Sequence, residues 1–183
     1  MVGSNASPIP NGGYSVMMDN LRRIGLGVIC ACSCIAGIAA AAPFDMTGVW
    51  TLQSMTFVDE ATGTISREFG DHPKGYAIFA PGGYMSVVIN AEGRQPIPAG
   101  ADNVTEPKAK LFSTMTSHAG PYQLSNGKLT HQVEVAHDPA MIGHDLIRFV
   151  RVLDNDHMES TTPVRDAGGG RRVKVVLVWE RKT

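Results

Sequence analysis

One histidine in this sequence has the setting of an acid–base or ligand-binding group. His131 lies in segment 129–137, where apolar residues recur at every second position. If this segment is a strand with its apolar face inward, His131 lies in the interior with Val133, Val135 and His137. A histidine in such a setting can transfer a proton or hydrogen-bond a ligand. The alternative is a structural histidine that is bonded to a neighbouring strand or helix.

Two arginines could bind a negatively charged group. Arg148 and Arg151 lie in the apolar segment 146–153, and strand alternation places them on opposite faces. The inward one would be costly to bury unless it meets an acid or a ligand carboxylate. Both faces are equally apolar, so the choice stays open, and we expect Arg148 to be the inward residue. The alternative role for either arginine is a salt bridge at the rim or on the exterior.

Tyrosine side chains offer an apolar ring with a polar hydroxyl, which suits a pocket wall. Tyr76, Tyr84 and Tyr122 lie in predicted strands, where core packing is their ordinary role. We expect Tyr76 and Tyr122 to contact a ligand together with His131 and Arg148, with His131 as the candidate catalytic residue. No His-Glu-x-x-His or Gly-x-Ser-x-Gly motif is present, and we expect neither a metal nor a cofactor.

The first 42 residues are typical of a targeting segment. An apolar run rich in small residues, 24–42, follows Arg22 and Arg23 and ends in three alanines before Pro43. A basic stretch, an apolar stretch and a small-residue end predict a secretory signal peptide that is cleaved after residue 42, with the true start at Met17 or Met18. A single membrane anchor and a lipoprotein are the alternatives.

Length and composition limit the possible functions of the remainder. The chain has 183 residues, enough for one domain, and a formal net charge of −1, which argues against a nucleic-acid-binding module. All three cysteines, at 30, 32 and 34, lie inside the predicted signal. Residues 43–183 therefore exclude thiol catalysis, disulfides and cysteine-ligated zinc.

Short alternating runs separated by Gly, Pro and Asn turns predict an antiparallel sheet closed into a barrel or sandwich. The predicted strands are 48–58, 64–69, 75–80, 84–90, 118–124, 129–137, 146–153, 157–162 and 171–181. One short helix is predicted from Thr105 to about Ser117, with an apolar face of Leu111, Phe112, Met115 and Ala119 that packs on the barrel.

The first and last strands carry a family resemblance. Gly48-Val49-Trp50 on the first strand, with Arg181 on the last, resembles lipocalins. In that family the tryptophan closes the barrel floor and the arginine stacks on its indole. The resemblance implies a cation–π contact between Trp50 and Arg181 at the closed end.

Longer motifs resemble a narrower group, the bacterial and fungal lipocalin-like domain proteins, over residues 46–182. They are GYAIFAPGGYMSVVI, PYQLSNGKLTHQVEVAHDP, HDLIRFVRV and VVLVWER, in that order. This chain has Pro121-Tyr122 where members usually have Thr-Tyr, and Gln132 where they have a second histidine. The resemblance implies an all-β fold, an antiparallel lipocalin-like β-barrel of eight to ten strands with one short helix, in residues 43–183.

The function expected from these patterns is binding of a small, largely apolar molecule inside an exported barrel, periplasmic or secreted. The alternative implied by related barrels is a cofactor-free isomerase, cyclase or hydratase/lyase acting on a small hydrophobic metabolite. A third possibility is a solid barrel that acts in a complex with a partner. We expect no nucleic-acid partner and no stable membrane insertion after cleavage, and the oligomeric state is left open.

Overall fold

The computed structural model describes residues 44–183, and the structural account concerns this part of the chain. The predicted leader and signal peptide, residues 1–42, lies outside the described residues. Among the residues described, no helix combines the length and the apolar character needed to cross a membrane.

Antiparallel strands dominate residues 44–183. The elements are β1 (Gly48–Asp59), β2 (Ile65–Ser66), β3 (Lys74–Ala80), β4 (Tyr84–Asn90), α1 (Thr105–Ser113), β5 (Met115–Ser125), β6 (Lys128–Gln132), β7 (Val135–Ala136), a 3₁₀ turn (Pro139–Met141), β8 (Asp145–Val152), β9 (His157–Thr161), β10 (Arg165–Asp166) and β11 (Arg172–Arg181). The eight longer strands pair in the order β1, β3, β4, β5, β6, β8, β9, β11, and β11 pairs back with β1. The predicted antiparallel barrel with one short helix is therefore confirmed for the described residues.

Strand alternation sends every second side chain into the barrel. On β11 the inward residues are Val173, Val175, Leu177 and Trp179, as the apolar pattern predicts. The β1 pattern changes phase at Gln53, where the pairing with β11 shifts by one residue. Trp50 and Leu52 face inward before this bulge, and Met55 and Phe57 face inward after it. The bulge therefore lets one long strand keep its apolar residues inside.

The barrel is closed at one end by Trp50 and Arg181. Trp50 is completely buried, and its indole nitrogen donates a hydrogen bond to the Met46 carbonyl oxygen (2.8 Å). The Arg181 guanidinium carbon lies 4.3 Å from the Trp50 ring centre, which confirms the predicted cation–π contact. The two terminal nitrogens of Arg181 donate hydrogen bonds to the carbonyl oxygens of Thr47 and Asp45 (2.7 and 2.6 Å). One side chain thus fixes the segment that covers the floor.

Several hairpins follow their predicted turn chemistry. Between β5 and β6, Asn126 and Gly127 both have positive φ, 50° and 74°. A two-residue turn with two positive φ angles matches the right-handed twist of the strands, and Asn-Gly is the pair that adopts it most readily. This turn sets the pairing of Tyr122 opposite His131.

The helix is shorter than predicted, and its proposed apolar face is wrong. It ends at Ser113, and none of its residues is buried. Met115 and Ala119 instead belong to β5, which pairs with β4 from Asn90 to Tyr84. Helical spacing in residues 111–119 was misleading because a complete row of sheet hydrogen bonds fixes residues 115–119 as a strand.

Two predicted strands also differ in extent. The predicted strand 64–69 is reduced to β2, two residues that pair with β1. The predicted strand 129–137 is interrupted after Gln132, because Val133 pairs with the chain at Gly143 and His144 instead. Val133 is buried, but Val135 is 66% exposed and His137 is half-buried. The expectation that Val135 and His137 share the inward face with His131 is therefore wrong.

Candidate functional site

The barrel contains a cavity of about 690 Å³. Its apolar wall includes Met55, Phe57, Ala77, Phe79, Met85, Val87, Ile89, Leu129, Met158, Val175, Leu177 and Trp179. Exposed Glu68 and Arg165 also line it, together with the fully buried Met158. The cavity therefore runs from the interior to the protein surface, and we call its end at Glu68 and Arg165 the mouth.

Two histidines meet at the cavity wall. His118 on β5 and His131 on β6 have their Nδ1 atoms 3.1 Å apart, and the side chains are 7% and 1% exposed. Because this contact is a hydrogen bond, one Nδ1 carries the proton and the other accepts it. The Nε2 atom of His131 is buried without a protein partner among the described residues. His131 thus lines the cavity, with one ring nitrogen bonded to His118 and the other without a hydrogen-bond partner among the described residues.

Burial keeps both histidines neutral. It lowers the pKa of His131 to about 4, with the Arg148 charge as the second cause. It lowers the pKa of His118 to about 3, and proximity to His131 and then to Arg148 adds to the shift. The hydrogen bond between the rings is compatible with at most one added proton, because two protonated rings would bring two N–H groups together.

The structure places Arg148 inside the barrel and Arg151 outside. Arg148 lies opposite the buried Leu129 in the β6–β8 pairing and lines the cavity. Burial lowers the pKa of its guanidinium to about 10, and the nearby Arg165 charge contributes. Arg151 faces outward and pairs with Glu159 at 3.0 Å. Arg148 is therefore the inward-facing arginine of this strand, which strand alternation alone could not decide.

The tyrosines do not line this cavity. Tyr76 lies on the outer face of β3 and is 46% exposed, so its expected place at the pocket wall is wrong. Tyr84 is also exposed on the exterior. Tyr122 packs edge-on against Phe79 with ring centres 5.1 Å apart, and burial raises its pKa. Tyr122 therefore belongs to the core beside the cavity wall, and its predicted ligand contact stays a prediction.

Sequence reasoning missed His118, Arg165 and two hydroxyl groups of the wall. Alternation on β5 could have found His118, because it shares parity with Tyr122, which we expected to face inward. Ser160 and Thr162 are already engaged, accepting hydrogen bonds from the Trp179 indole (3.0 Å) and the Val175 amide (2.9 Å). Among the titratable groups of the wall, the Nε2 atom of His131 has no hydrogen-bond partner and the guanidinium of Arg148 donates one hydrogen bond within the described residues.

Two further histidines, His137 and His157, form hydrogen bonds outside the cavity. The Nδ1 atom of His137 lies 3.2 Å from the backbone nitrogen of Ser117 and contacts no other histidine. His157 lies 2.8 Å from a carboxylate oxygen of Asp154 in an exposed turn, and that hydrogen bond raises the pKa of His157. Within residues 44–183, no three His, Asp or Glu side chains converge as metal ligands would.

A closed eight-stranded barrel with a tryptophan–arginine floor and a cavity open at the other end defines a lipocalin-like protein. The sequence profile of the lipocalin-like domain matches residues 47–182, and the chain belongs to that family. Barrels of this family are suited to binding small molecules. No curated protein matches the sequence. Among solved structures, a de novo designed fluorescence-activating β-barrel is similar at 10% identity, with a TM-score of 0.36 over 74% of this chain and 93% of the designed one.

The neutral histidine pair predicts that the protein loses stability in mild acid. Below the ordinary histidine pKa of 6.5, unfolded His118 and His131 bind protons that the folded pair excludes. Their contribution to the free energy of unfolding is therefore constant above that pH and falls as the pH drops towards the folded pKa values. From about pH 7 to about pH 5 we expect a loss of about 2 kcal/mol per histidine, measured by urea unfolding.

Two variants separate this effect from general acid sensitivity. His131→Asn keeps an amide near the position of Nδ1 but cannot titrate, so the loss between the two pH values should shrink by about half. His144→Asn, which replaces an exposed histidine, should keep the dependence of the original protein. An unchanged pH dependence in His131→Asn would contradict the exclusion of protons from the pair.

Proposed function

We propose that the protein binds a small, largely apolar molecule inside its barrel. The observation that carries this proposal is the cavity, whose volume of about 690 Å³ is typical of sites for small organic ligands. Its wall is mainly aliphatic, aromatic and methionine side chains, which favour an apolar guest. The cavity also argues against the solid barrel that acts only through a partner.

The free polar groups would orient such a guest. His131 offers Nε2 as a donor or an acceptor, depending on which ring of the histidine pair holds the shared proton. Arg148 offers a charged donor on the mouth side of Val150. A few polar groups in an otherwise apolar wall give a ligand one preferred orientation without the cost of a polar interior.

A matched pair of substitutions on β11 tests occupation of the barrel. Val175→Phe adds a ring to an inward side chain of the cavity wall, whereas Val176→Phe adds the same ring on the outward face. We expect Val175→Phe to weaken binding of the uncharged apolar fluorophore N-phenyl-1-naphthylamine at least tenfold, and Val176→Phe to change it less than twofold.

The readout is fluorescence titration, with circular dichroism to show that both variants fold. Equal loss of binding in the two variants, or equal retention, would place the probe outside the barrel. Native mass spectrometry of protein purified from its own host adds a direct check, because a co-purifying small molecule should be absent or reduced in Val175→Phe only.

The histidine pair supports a second candidate function, a cofactor-free isomerase, cyclase or hydratase/lyase. A neutral imidazole with a free Nε2 at an apolar wall can accept a proton from a bound molecule. The partner ring, 3.1 Å away, can share the positive charge, and Arg148 can stabilise negative charge that develops on the substrate. In this function His131 is the general base, and Arg148 is the electrostatic partner.

Hydrogen exchange distinguishes this function from simple binding. If His131 moves a proton, the co-purifying molecule should take up deuterium in heavy water, or change structure, in the presence of the original protein. His131→Asn should slow the deuterium uptake or structural change at least a hundredfold and change the affinity for the molecule less than threefold. The reason is that the amide keeps the contact with His118 but cannot act as a base. His137→Asn, away from the cavity, is the matched control. Recovery of the molecule with its mass and structure unchanged after incubation with the original protein would contradict catalysis.

We also propose that the barrel works after export, in the periplasm or outside the cell. The support is the basic, apolar and small-residue order of residues 22–42 and the confinement of all cysteines to that segment. The mature protein should begin at Pro43, as measured by intact mass and N-terminal sequencing of material from the host's extracytoplasmic fraction. A cytoplasmic protein that retains residues 17–42 would contradict export.

A further inference from the structure

Arg148 is a charged side chain of the cavity wall that forms no ion pair with residues 44–183. Its guanidinium has five N–H donors. In the described chain it donates one hydrogen bond, from Nη1 to the carbonyl oxygen of its neighbour Ile147 (2.8 Å). No carboxylate oxygen of residues 44–183 lies within 4.0 Å of its nitrogens. A partly buried guanidinium with most of its donors unmatched by protein acceptors is less favourable than a paired one, and an acceptor that binds there recovers part of that free energy.

The acids at the cavity wall have other roles. Glu68 at the mouth pairs with Arg171 at 3.1 Å. Asp138 accepts a hydrogen bond from the Ala140 amide (3.0 Å) and caps the 3₁₀ turn. Asp145 begins β8 as an exposed residue. The charge of Arg148 is therefore not neutralised by any of the three.

The other groups near Arg148 add no negative charge. His118 and His131 are neutral, and each is disfavoured from becoming positive by the Arg148 charge. Arg165, at the mouth, is a second cation that acts on Arg148 and takes part in no ion pair within the described chain. Arg148 and Arg165 are thus cations of the cavity wall with no ion-pair partner among the described residues, while the carboxylates of Asp138, Asp145 and the paired Glu68 also line the cavity.

We infer that the ligand is an amphipathic carboxylic acid, whose carboxylate Arg148 binds inside the barrel while its apolar body fills the cavity towards Met158 and Trp179. This deepens the proposed function and rests on it. A single carboxylate matches the single inner guanidinium in charge and in its planar pair of oxygens. The Nε2 atom of His131, when protonated in the neutral ring, can donate a further hydrogen bond to the carboxylate. Arg165 attracts the acid at the mouth.

A probe pair that differs only in its head group tests this. cis-Parinaric acid and the alcohol obtained by reducing it share one fluorescent chain. We expect the acid to bind the original protein at least tenfold more tightly than the alcohol near neutral pH, because only the carboxylate can accept charge-assisted hydrogen bonds from Arg148. Arg148→Met should abolish this preference and leave binding of the alcohol unchanged or stronger.

The controls are arginines of other positions. Arg151→Met, on the outer face of the same strand, should keep the full preference for the acid. Arg165→Met should reduce it less than threefold, and added salt should remove that smaller effect because Arg165 is exposed. Circular dichroism and urea unfolding check that each variant folds, and Arg148→Lys, which keeps the charge, should retain part of the preference.

The outcomes separate the two proposals. Equal affinity of the original protein for acid and alcohol, or an acid preference that survives Arg148→Met, overturns the carboxylate inference and leaves apolar binding standing. Absence of binding by both probes, together with no effect of Val175→Phe on any apolar guest, overturns the proposed function and the inference that rests on it.

Discussion

Pairing of β1 with β11 is the constraint on which the rest of the structure depends. It joins the ends of the sheet, so that one face becomes an interior and the barrel wall has no open edge. An eight-stranded barrel has an interior that side chains can fill or that can hold one small guest. Here Trp50 fills the closed end beneath Arg181, and the wall above it is left partly unfilled.

Burial of a polar group in such an interior costs free energy unless the group forms a hydrogen bond. The hydroxyl oxygens of Ser160 and Thr162 accept hydrogen bonds from the indole of Trp179 and the amide of Val175. His118 and His131 satisfy one nitrogen each by bonding to one another while both stay neutral. Arg148 cannot become neutral at physiological pH, since even its lowered pKa is about 10. The apolar wall that keeps the histidines neutral therefore leaves Arg148 as a charged side chain with no ion-pair partner among the described residues.

The sequence predicted the barrel because its strands alternate and its turns carry Gly, Pro and Asn. It also predicted the contact of Trp50 with Arg181, because a family resemblance linked two residues that no local pattern connects. It could not choose between Arg148 and Arg151, since both faces of β8 are equally apolar and only the pairing with Leu129 makes the difference. Tyr76 was misplaced because an aromatic ring on a strand packs well on either face of a sheet.

The interruption between β6 and β7 shows why the inward residues of the site could not be predicted from the sequence alone. A regular strand would place Val135 opposite His118, given that His131 lies opposite Tyr122; instead Ala136 is the partner of His118. One extra residue is accommodated because Val133 bonds to residues 143–144, and because Gly120, against the carbonyl oxygen of Gln132, has no side chain to obstruct it. The bulge turns Val135 and His137 away from the inward face, so His137 does not join His131 and His118 at the cavity wall. Such a bulge depends on contacts between segments far apart in the chain, which alternation within one strand cannot reveal.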